Sequence, residues 1–360
     1  MKAYFEDHTA IDYWLAILLS SSQLKELDLC IRKHTPIQMM YSFPFDASGL
    51  TSLTSLKLCG VRILKPHTTS INLPKLVSLA LEKVETNDVE LNNLLIGFSS
   101  LEKLLLKECA NLVNPRVLNS TLKFLEIVYG ATQPSNPRRR PLETTFHVES
   151  VNLQSFAYNR APYYSNLLLS CGIIQHLLFS NMRFRDQWFE DLIFRLPLLQ
   201  NLSVCNCKFE QIQVFSQHLK HFVFKGNKRG YALAARINTP NLVSFSFEGD
   251  FLSNFLMIAP NILQADIQLR SPKAYDTQWY FSLCDFLRYV DGSKMVSLGI
   301  HSEEALIFPR EFRRNSWLPL PTLKHLKVTT DLPLSSEAEL RRALLWTSPS
   351  LETLLIEQNQ

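Results

Sequence analysis

The chain has few of the residues from which enzymes build phosphate cradles and strained catalytic turns: 10 of its 360 residues are glycine. It contains no glycine-rich phosphate loop, HExxH helix, nucleophile elbow or paired CxxC, which removes the common signatures of nucleotide, metalloprotease and hydrolase chemistry. Charge of one sign is also lacking. The 37 basic and 33 acidic residues leave a formal charge of +4, too little for the electrostatic footprint of a dedicated nucleic-acid binder. No run approaches the roughly 18 apolar residues that span a membrane. The short apolar stretch at 14–19 follows acidic Glu6 and Asp7 and lacks the basic start and small-residue cleavage site of a signal peptide. Cysteines are odd in number and scattered, at Cys30, Cys59, Cys109, Cys171, Cys205, Cys207 and Cys284, a pattern of reduced thiols rather than a disulfide framework. These absences lead to the expectation of a soluble, non-enzymatic protein of the cytoplasm or nucleus, with no cofactor or metal and with neither nucleic acid nor membrane as partner.

What the sequence does have is one phrase, apolar-x-x-apolar-x-apolar, repeated from end to end. Early copies are Leu24-Leu27-Leu29, Leu53-Leu56-Leu58, Leu76-Leu79-Leu81, Leu101-Leu104-Leu106 and Leu122-Leu125-Ile127. Middle copies turn aromatic: Leu153-Phe156-Tyr158, Ile174-Leu177-Phe179, Leu199-Leu202-Val204, Leu219-Phe222-Phe224 and Leu242-Phe245-Phe247, then a degenerate Ile262-Ala265-Ile267. Met295-Leu298-Ile300, Leu323-Leu326-Val328 and Leu351-Leu354-Ile356 close the series. A period of roughly 20 to 29 residues is that of leucine-rich repeats. The last two apolar positions lie two apart on a short strand and point inward together, with an outward residue between them. One unit buries only about three large side chains, worth roughly 1.5 to 3 kcal/mol each, which cannot offset the ordering of a whole repeat. Repeats must therefore stack. The expected fold is an α/β leucine-rich-repeat solenoid, a curved horseshoe with a parallel strand ladder on its concave face and helices or irregular segments on its convex face.

Helical spacing marks two returning segments, 88–98 with Val89, Leu91, Leu94 and Leu95, and 186–196 with Trp188, Phe189, Leu192 and Ile193. Cys109 and Cys207 stand three residues past the strand phrase, where such repeats place Asn or Cys to satisfy turning backbone, so they read as structural thiols. The ends of an open solenoid need covers. Ile11, Trp14, Leu15, Leu18 and Leu19 predict an amphipathic N-terminal helix. Ser336 and Glu339 read as a capping box for a helix carrying Leu340, Leu344 and Leu345, while little chain follows Ile356 to cover the last strand. Residues 1–22 then form an N-terminal helical cap, 23–310 the repeats, and 311–360 the closing repeats and cap.

Residues beside the last apolar position of each phrase face outward and carry no core duty. This selects Asp28, Lys57, Glu82, Lys107, Glu126, Asn159, Lys225, Glu248, Asp266, His301 and Lys327 as candidate contacts for a protein client on the concave face. Leu105, Leu178 and Leu355 fall in the same row, and exposed apolar side chains there favour contact. Arg138, Arg139 and Arg140 lie in the loop-like ATQPSNPRRRPL and read first as a solvated loop; a nuclear-localisation or polyanion role is the alternative. Lys225, Lys228 and Arg229 read as turn decoration, with an anion pocket as the alternative. Cys205, Cys207, His218 and His221 are too divided between strand and turn to form a metal site.

IDYWLAILLSSSQLKELDL at 11–29, LTSLKLCGV at 53–61, LPKLVSLALEKV at 73–84 and LEKLLLKEC at 101–109 resemble the plant F-box proteins with leucine-rich repeats. LPTLKHLKV at 320–328 followed by LLWTSPSLETLLIE at 344–357 is similar to the FBD-like ending of that family, which would make 311–360 its FBD-like part and 1–22 the remnant of its post-F-box linker. The resemblance implies the substrate-binding part of an F-box subunit of an SCF-type ubiquitin ligase. Only thirteen residues precede Trp14, and no F-box is visible. What carries over is the recognition half, with a Skp-family adaptor a partner for which the sequence shows no binding module. The alternatives are a stand-alone leucine-rich-repeat interaction protein, a truncated F-box paralogue with no ligase link, or the repeat fragment of an intracellular immune receptor.

Overall fold

The computed structural model describes residues 8–20, 24–31, 40–45, 48–63, 72–130, 144–159, 165–183, 185–226, 234–250, 254–272 and 274–358. The chain forms two compact units, Met1–His176 and Leu177–Gln360. The first contains α1 (His8–Ser20), β1 (Glu26–Cys30), β2 (Tyr41–Ser42), β3 (Ser55–Cys59), β4 (Val61–Arg62), β5 (Ser78–Glu82), α2 (Asp88–Ile96), β6 (Lys103–Lys107), β7 (Arg116–Leu118), β8 (Phe124–Val128), β9 (Thr144–Glu149), β10 (Ser155–Asn159) and β11 (Ser165–Leu169). After β12 (His176–Ser180), the second has α3 (Asp186–Phe194), β13 (Asn201–Cys205), β14 (Gln211–Phe215), β15 (His221–Lys225), β16 (Ala234–Asn238), β17 (Ser244–Gly249), β18 (Asn254–Ile258) and β19 (Gln264–Leu269). It ends with α4 (Thr277–Leu287), β20 (Met295–Ile300), α5 (Arg310–Asn315), β21 (His325–Thr330), α6 (Glu337–Thr347) and β22 (Thr353–Gln358).

Each repeat phrase is one strand of a parallel ladder. In the first unit the order is β1-β3-β5-β6-β8-β10, in register so that Leu27, Leu56, Leu79, Leu104, Leu125 and Phe156 form one inward column. In the second it is β13-β15-β17-β19-β20-β21-β22, again wholly parallel. This is the leucine-rich-repeat solenoid: the inward pair of nearly every ladder strand is buried, and the residue between the pair stays at least partly open. The last strand departs from this, since Leu354 and Ile356 keep intermediate exposure.

The returning segments differ from the expectation of helices and irregular chain, because many of them are strands. β2 pairs with β4, β7 with β9 and β9 with β11 in the first unit, and β14 with β16 and β16 with β18 in the second, all parallel. Coil length explains the choice. Starts of successive ladder strands lie 20 residues apart from Asn201 to His221 and from Ser244 to Gln264, and 23 apart from His221 to Ser244, and each of these coils returns through a strand. They lie 25 apart from Ser78 to Lys103 and 28 apart from His325 to Thr353, and those return through helices. A helix rises only about 1.5 Å per residue against about 3.3 Å for a strand, so a short coil reaches back only if its return is extended. The 29- and 31-residue coils that carry β2 and β9 include stretches outside the described residues.

Two aromatic repeats of the second unit, β15 and β17, return through the strands β16 and β18. Phe222 meets Phe245 at 5.9 Å and Phe224 meets Phe247 at 5.8 Å along the ladder. Phe255 of β18 and Phe286 of α4 reach them from the return side, with Phe286 at 4.8 Å from Phe247. Large rings supply buried area that a five-residue return strand, with few inward positions, cannot.

Helices and ends match the sequence in outline and correct it in detail. α2 buries Leu91, Leu94 and Leu95 but leaves Val89 exposed, and α3 buries Phe189, Leu192 and Ile193 while Trp188 is half-buried. α1 buries Ile11 and Leu15, whereas Trp14 is exposed and the Leu19 side chain lies outside the described residues. Ser336 caps α6 by accepting from the Glu339 backbone, but the reciprocal half of the box is absent: the Ser336 amide donates to the Glu303 carboxylate instead. Leu340 and Leu344 are buried and Leu345 is exposed.

Candidate recognition face

Residues on the open side of the ladder fall into three columns. In the first unit the central column is Asp28, Lys57, Ala80, Leu105, Glu126 and Ala157, and the column at the strand ends is Cys30, Cys59, Glu82, Lys107, Val128 and Asn159. In the second unit the central column holds Ser203, Val223, Ser246, Asp266, Ser297, Lys327 and Leu355, and the end column Cys205, Lys225, Glu248, Gln268, Gly299, Thr329 and Glu357. Ten of the eleven selected residues therefore lie on the outward face, divided between two columns rather than in a single row.

His301 is the exception. The phrase Met295-Leu298-Ile300 is out of step: the buried pair in register with Ala265 and Ile267 is Val296 and Leu298, while Met295 is 41% exposed. Buried Ser293 takes the first apolar position, and a serine there hides the phrase from a search for leucine. The end-column residue of β20 is thus Gly299, and His301 follows the strand. There its Nδ1 stands 3.3 Å from Asp331 Oδ2, and it lines an open hollow of about 670 Å³ with Tyr275, Tyr280, Ser302, Glu304 and Leu332.

Neighbouring strands in register bring opposite charges side by side, and most of the candidate charges bind each other. Lys57 stands 3.7 Å from Asp28, Lys107 2.8 Å from Glu82, Lys225 3.7 Å from Glu248 and Lys327 2.7 Å from Glu357. The Lys107 ammonium beside Glu82 holds that carboxyl below its ordinary range, and Glu82 in turn raises Lys107. Arg270 shares Glu248 at 3.7 Å and donates to the Gly226 carbonyl at 2.6 Å. Exposed pairs of this kind contribute about 0 to 1 kcal/mol each; their larger effect is to commit the charges locally.

Two candidates escape that pairing: among the described residues Glu126 and Asp266 make no ion pair. Glu126 projects between half-buried Leu105 and Ala157 of the adjoining strands, with Phe124 of its own strand 40% exposed and lying 5.4 Å under the Lys103 ammonium. Asp266 has Ser246 and Ser297 as lateral neighbours. Phe124 and Lys103 belong to the third column, at the strand starts. That column escapes a reading anchored on the last apolar residue, although strand alternation turns it outward too. Leu178 and Leu355 are 38% and 50% exposed.

The thiols divide by burial. Cys109 and Cys207 point inward at the turn after their strands; Cys109 Sγ donates to the Leu81 carbonyl at 3.4 Å and Cys207 Sγ to that of Cys205 at 3.4 Å. Burial pushes them up to about 11 and about 12, the values of structural thiols. Cys205 is on the outward face and Cys207 behind it, so the two do not converge with His218 and His221. Among the described residues no three His, Cys, Asp or Glu side chains assemble as a metal site, and no helix is long and apolar enough to cross a membrane. The three arginines at 138–140, together with Lys228 and Arg229, lie outside the described residues.

Residues 11–135, from α1 through β8, match the family model described as FBD-associated F-box protein At5g56370, LRR repeats. This part of the chain is similar to the leucine-rich repeats of a plant F-box family. No curated protein matches the chain. Repeat arrays of this type serve in protein interaction, presenting extended surfaces whose residues are relieved of core packing.

Proposed function

We propose that the chain is a non-enzymatic protein-recognition module whose ladder face selects a client protein, as the substrate-binding part of an F-box ubiquitin-ligase subunit would. The observation that carries this reading is the surface around Glu126: an uncommitted carboxylate set among Leu105, Phe124 and Ala157 on a face whose other charges are mostly spent on one another. Apolar side chains that a partner can desolvate around one directional charge are how protein interfaces concentrate affinity. The similarity of 11–135 to the repeats of an FBD-associated F-box protein supports the same role. The FBD-like reading of the closing phrases rests on their own residues.

Photo-crosslinkers placed singly at Glu126 and Asp266, and for comparison at exposed Val89 and Phe194 on the helical side, test the face. The expected result in native extract is a discrete client adduct from the ladder positions and none from the helical ones. Adducts only from Val89 or Phe194 would transfer recognition to the other side. The ligase link has its own measurement: binding of a purified Skp-family adaptor to the recombinant chain supports it, and no binding at micromolar concentrations assigns the chain a stand-alone interaction role.

A further inference from the structure

Five of the seven thiols are accounted for by burial or by a non-thiol neighbour. Cys171, Cys207 and Cys284 are buried, Cys109 is tied to carbonyls, and Cys205 faces Lys225 across the ladder. Cys30 and Cys59 are different. They end adjacent strands, are direct Cα partners in the parallel register, share the outward end column, keep intermediate exposure, and hydrogen-bond to each other. Neighbouring strands run about 4.8 Å apart, inside the Cα separation of about 4.4 to 6.8 Å that a disulfide spans.

We propose that Cys30 and Cys59 form a reactive dithiol on the outward face that closes reversibly to a disulfide at the expense of a low-molecular-weight disulfide such as oxidised glutathione. One of the two thiols, having lost its proton to solvent, attacks one sulfur of the small disulfide, breaking its S–S bond and expelling one thiolate. The other then loses its proton and attacks the protein sulfur of the mixed disulfide, expelling the second thiolate. Two protein thiols are oxidised and one disulfide is reduced to two thiols. Both cysteines keep intermediate exposure, so the closed bond stays open to exchange with an added thiol. The product links β1 to β3 beside the Glu82–Lys107 pair.

The test is oxidation of the reduced full chain with oxidised glutathione, followed by alkylation, proteolysis and mass spectrometry. The expected main product is a peptide cross-linked through Cys30 and Cys59, with both thiols lost together and recovered together on adding reduced glutathione. Cys59→Ser is expected to stop at glutathione on Cys30, and Cys30→Ser to stop at glutathione on Cys59. Separate glutathione adducts on both cysteines of the unaltered chain, or reaction at neither, would overturn the proposal. The unaltered chain decides this by itself, so a variant that fails to fold does not blunt the test, and client binding is not part of the readout.

Discussion

Replacing Gly60 by alanine isolates how closely one coil is wound on the next. Gly60 follows β3 in the left-handed region at φ 70°, and its amide donates to the Glu82 carbonyl at 3.0 Å. Equivalent turns place Lys83, Glu108, Asn181 and Asn206 at φ between 52° and 55°, so the backbone conformation does not by itself demand glycine. What demands it is space: a Cβ on Gly60 would stand 1.9 Å from the Ile31 carbonyl oxygen, which is backbone and cannot swing aside. The left-handed conformation costs an L-residue about 1–2 kcal/mol, and moving two coils apart adds strain of about 1–3 kcal/mol. A loss of about 2–5 kcal/mol follows, which for a unit of this size is about 4–20 °C in melting temperature. Lys83→Ala is the control, since it exchanges one side chain for another at φ 52° and removes only an exposed pair 3.8 Å from Glu108; its cost is expected below about 1 kcal/mol. Thermal and urea unfolding followed by circular dichroism measure both. Equal destabilisation by the two variants would refute the argument from close approach.

Leu104→Asp places a charge at a buried inward position and is expected to cost about 4 kcal/mol or more, whereas Glu126→Gln on the outward face leaves the melting temperature nearly unchanged and alters client capture; equal melting temperatures would contradict the assignment of faces. Phe247→Ala empties a buried site that touches Phe224, Phe245, Phe255 and Phe286 and is expected to cost about 3–5 kcal/mol by urea unfolding. Glu82 has its folded carboxyl held below the ordinary value by Lys107, so its contribution to stability is complete above about pH 5, beyond the unfolded carboxyl's range, and fades as pH falls through the lowered folded value. Urea midpoints taken from neutral to acid pH are expected to show a smaller acid decrease for Lys107→Ala than for the unaltered chain, and identical slopes would argue against the pair.

The ladder was legible because the inward pair must be apolar in every coil, and strand alternation makes that requirement periodic. Even the copy judged degenerate at Ile262 holds, since Ala265 and Ile267 are fully buried. The phrase failed only at β20, where buried Ser293 stands in for leucine and Met295 attracts the eye. The return segments were harder. A five-residue strand such as β14 offers only Ile212 and Val214 as inward positions, too short a pattern to recognise before coil length is weighed. Outward placement of the candidate residues was readable one strand at a time, but their mutual pairing was not: that Lys107 answers Glu82 across 25 positions of sequence needs the register. The same limit hid the adjacency of Cys30 and Cys59. The solitary state of Glu126 became visible only once its lateral neighbours were known to be leucine and alanine.

The dependence of the return path on coil length makes the two sides of each coil separately adjustable. Inward leucines and the strand register hold the front in place, while residues added behind convert an extended return into a helical one without moving any outward side chain. Lengthening the 20-residue coil between Asn201 and His221 by a helical turn or two would thus renovate the rear wall and leave the displayed text of the front unaltered, a property that suits this chain to grafting.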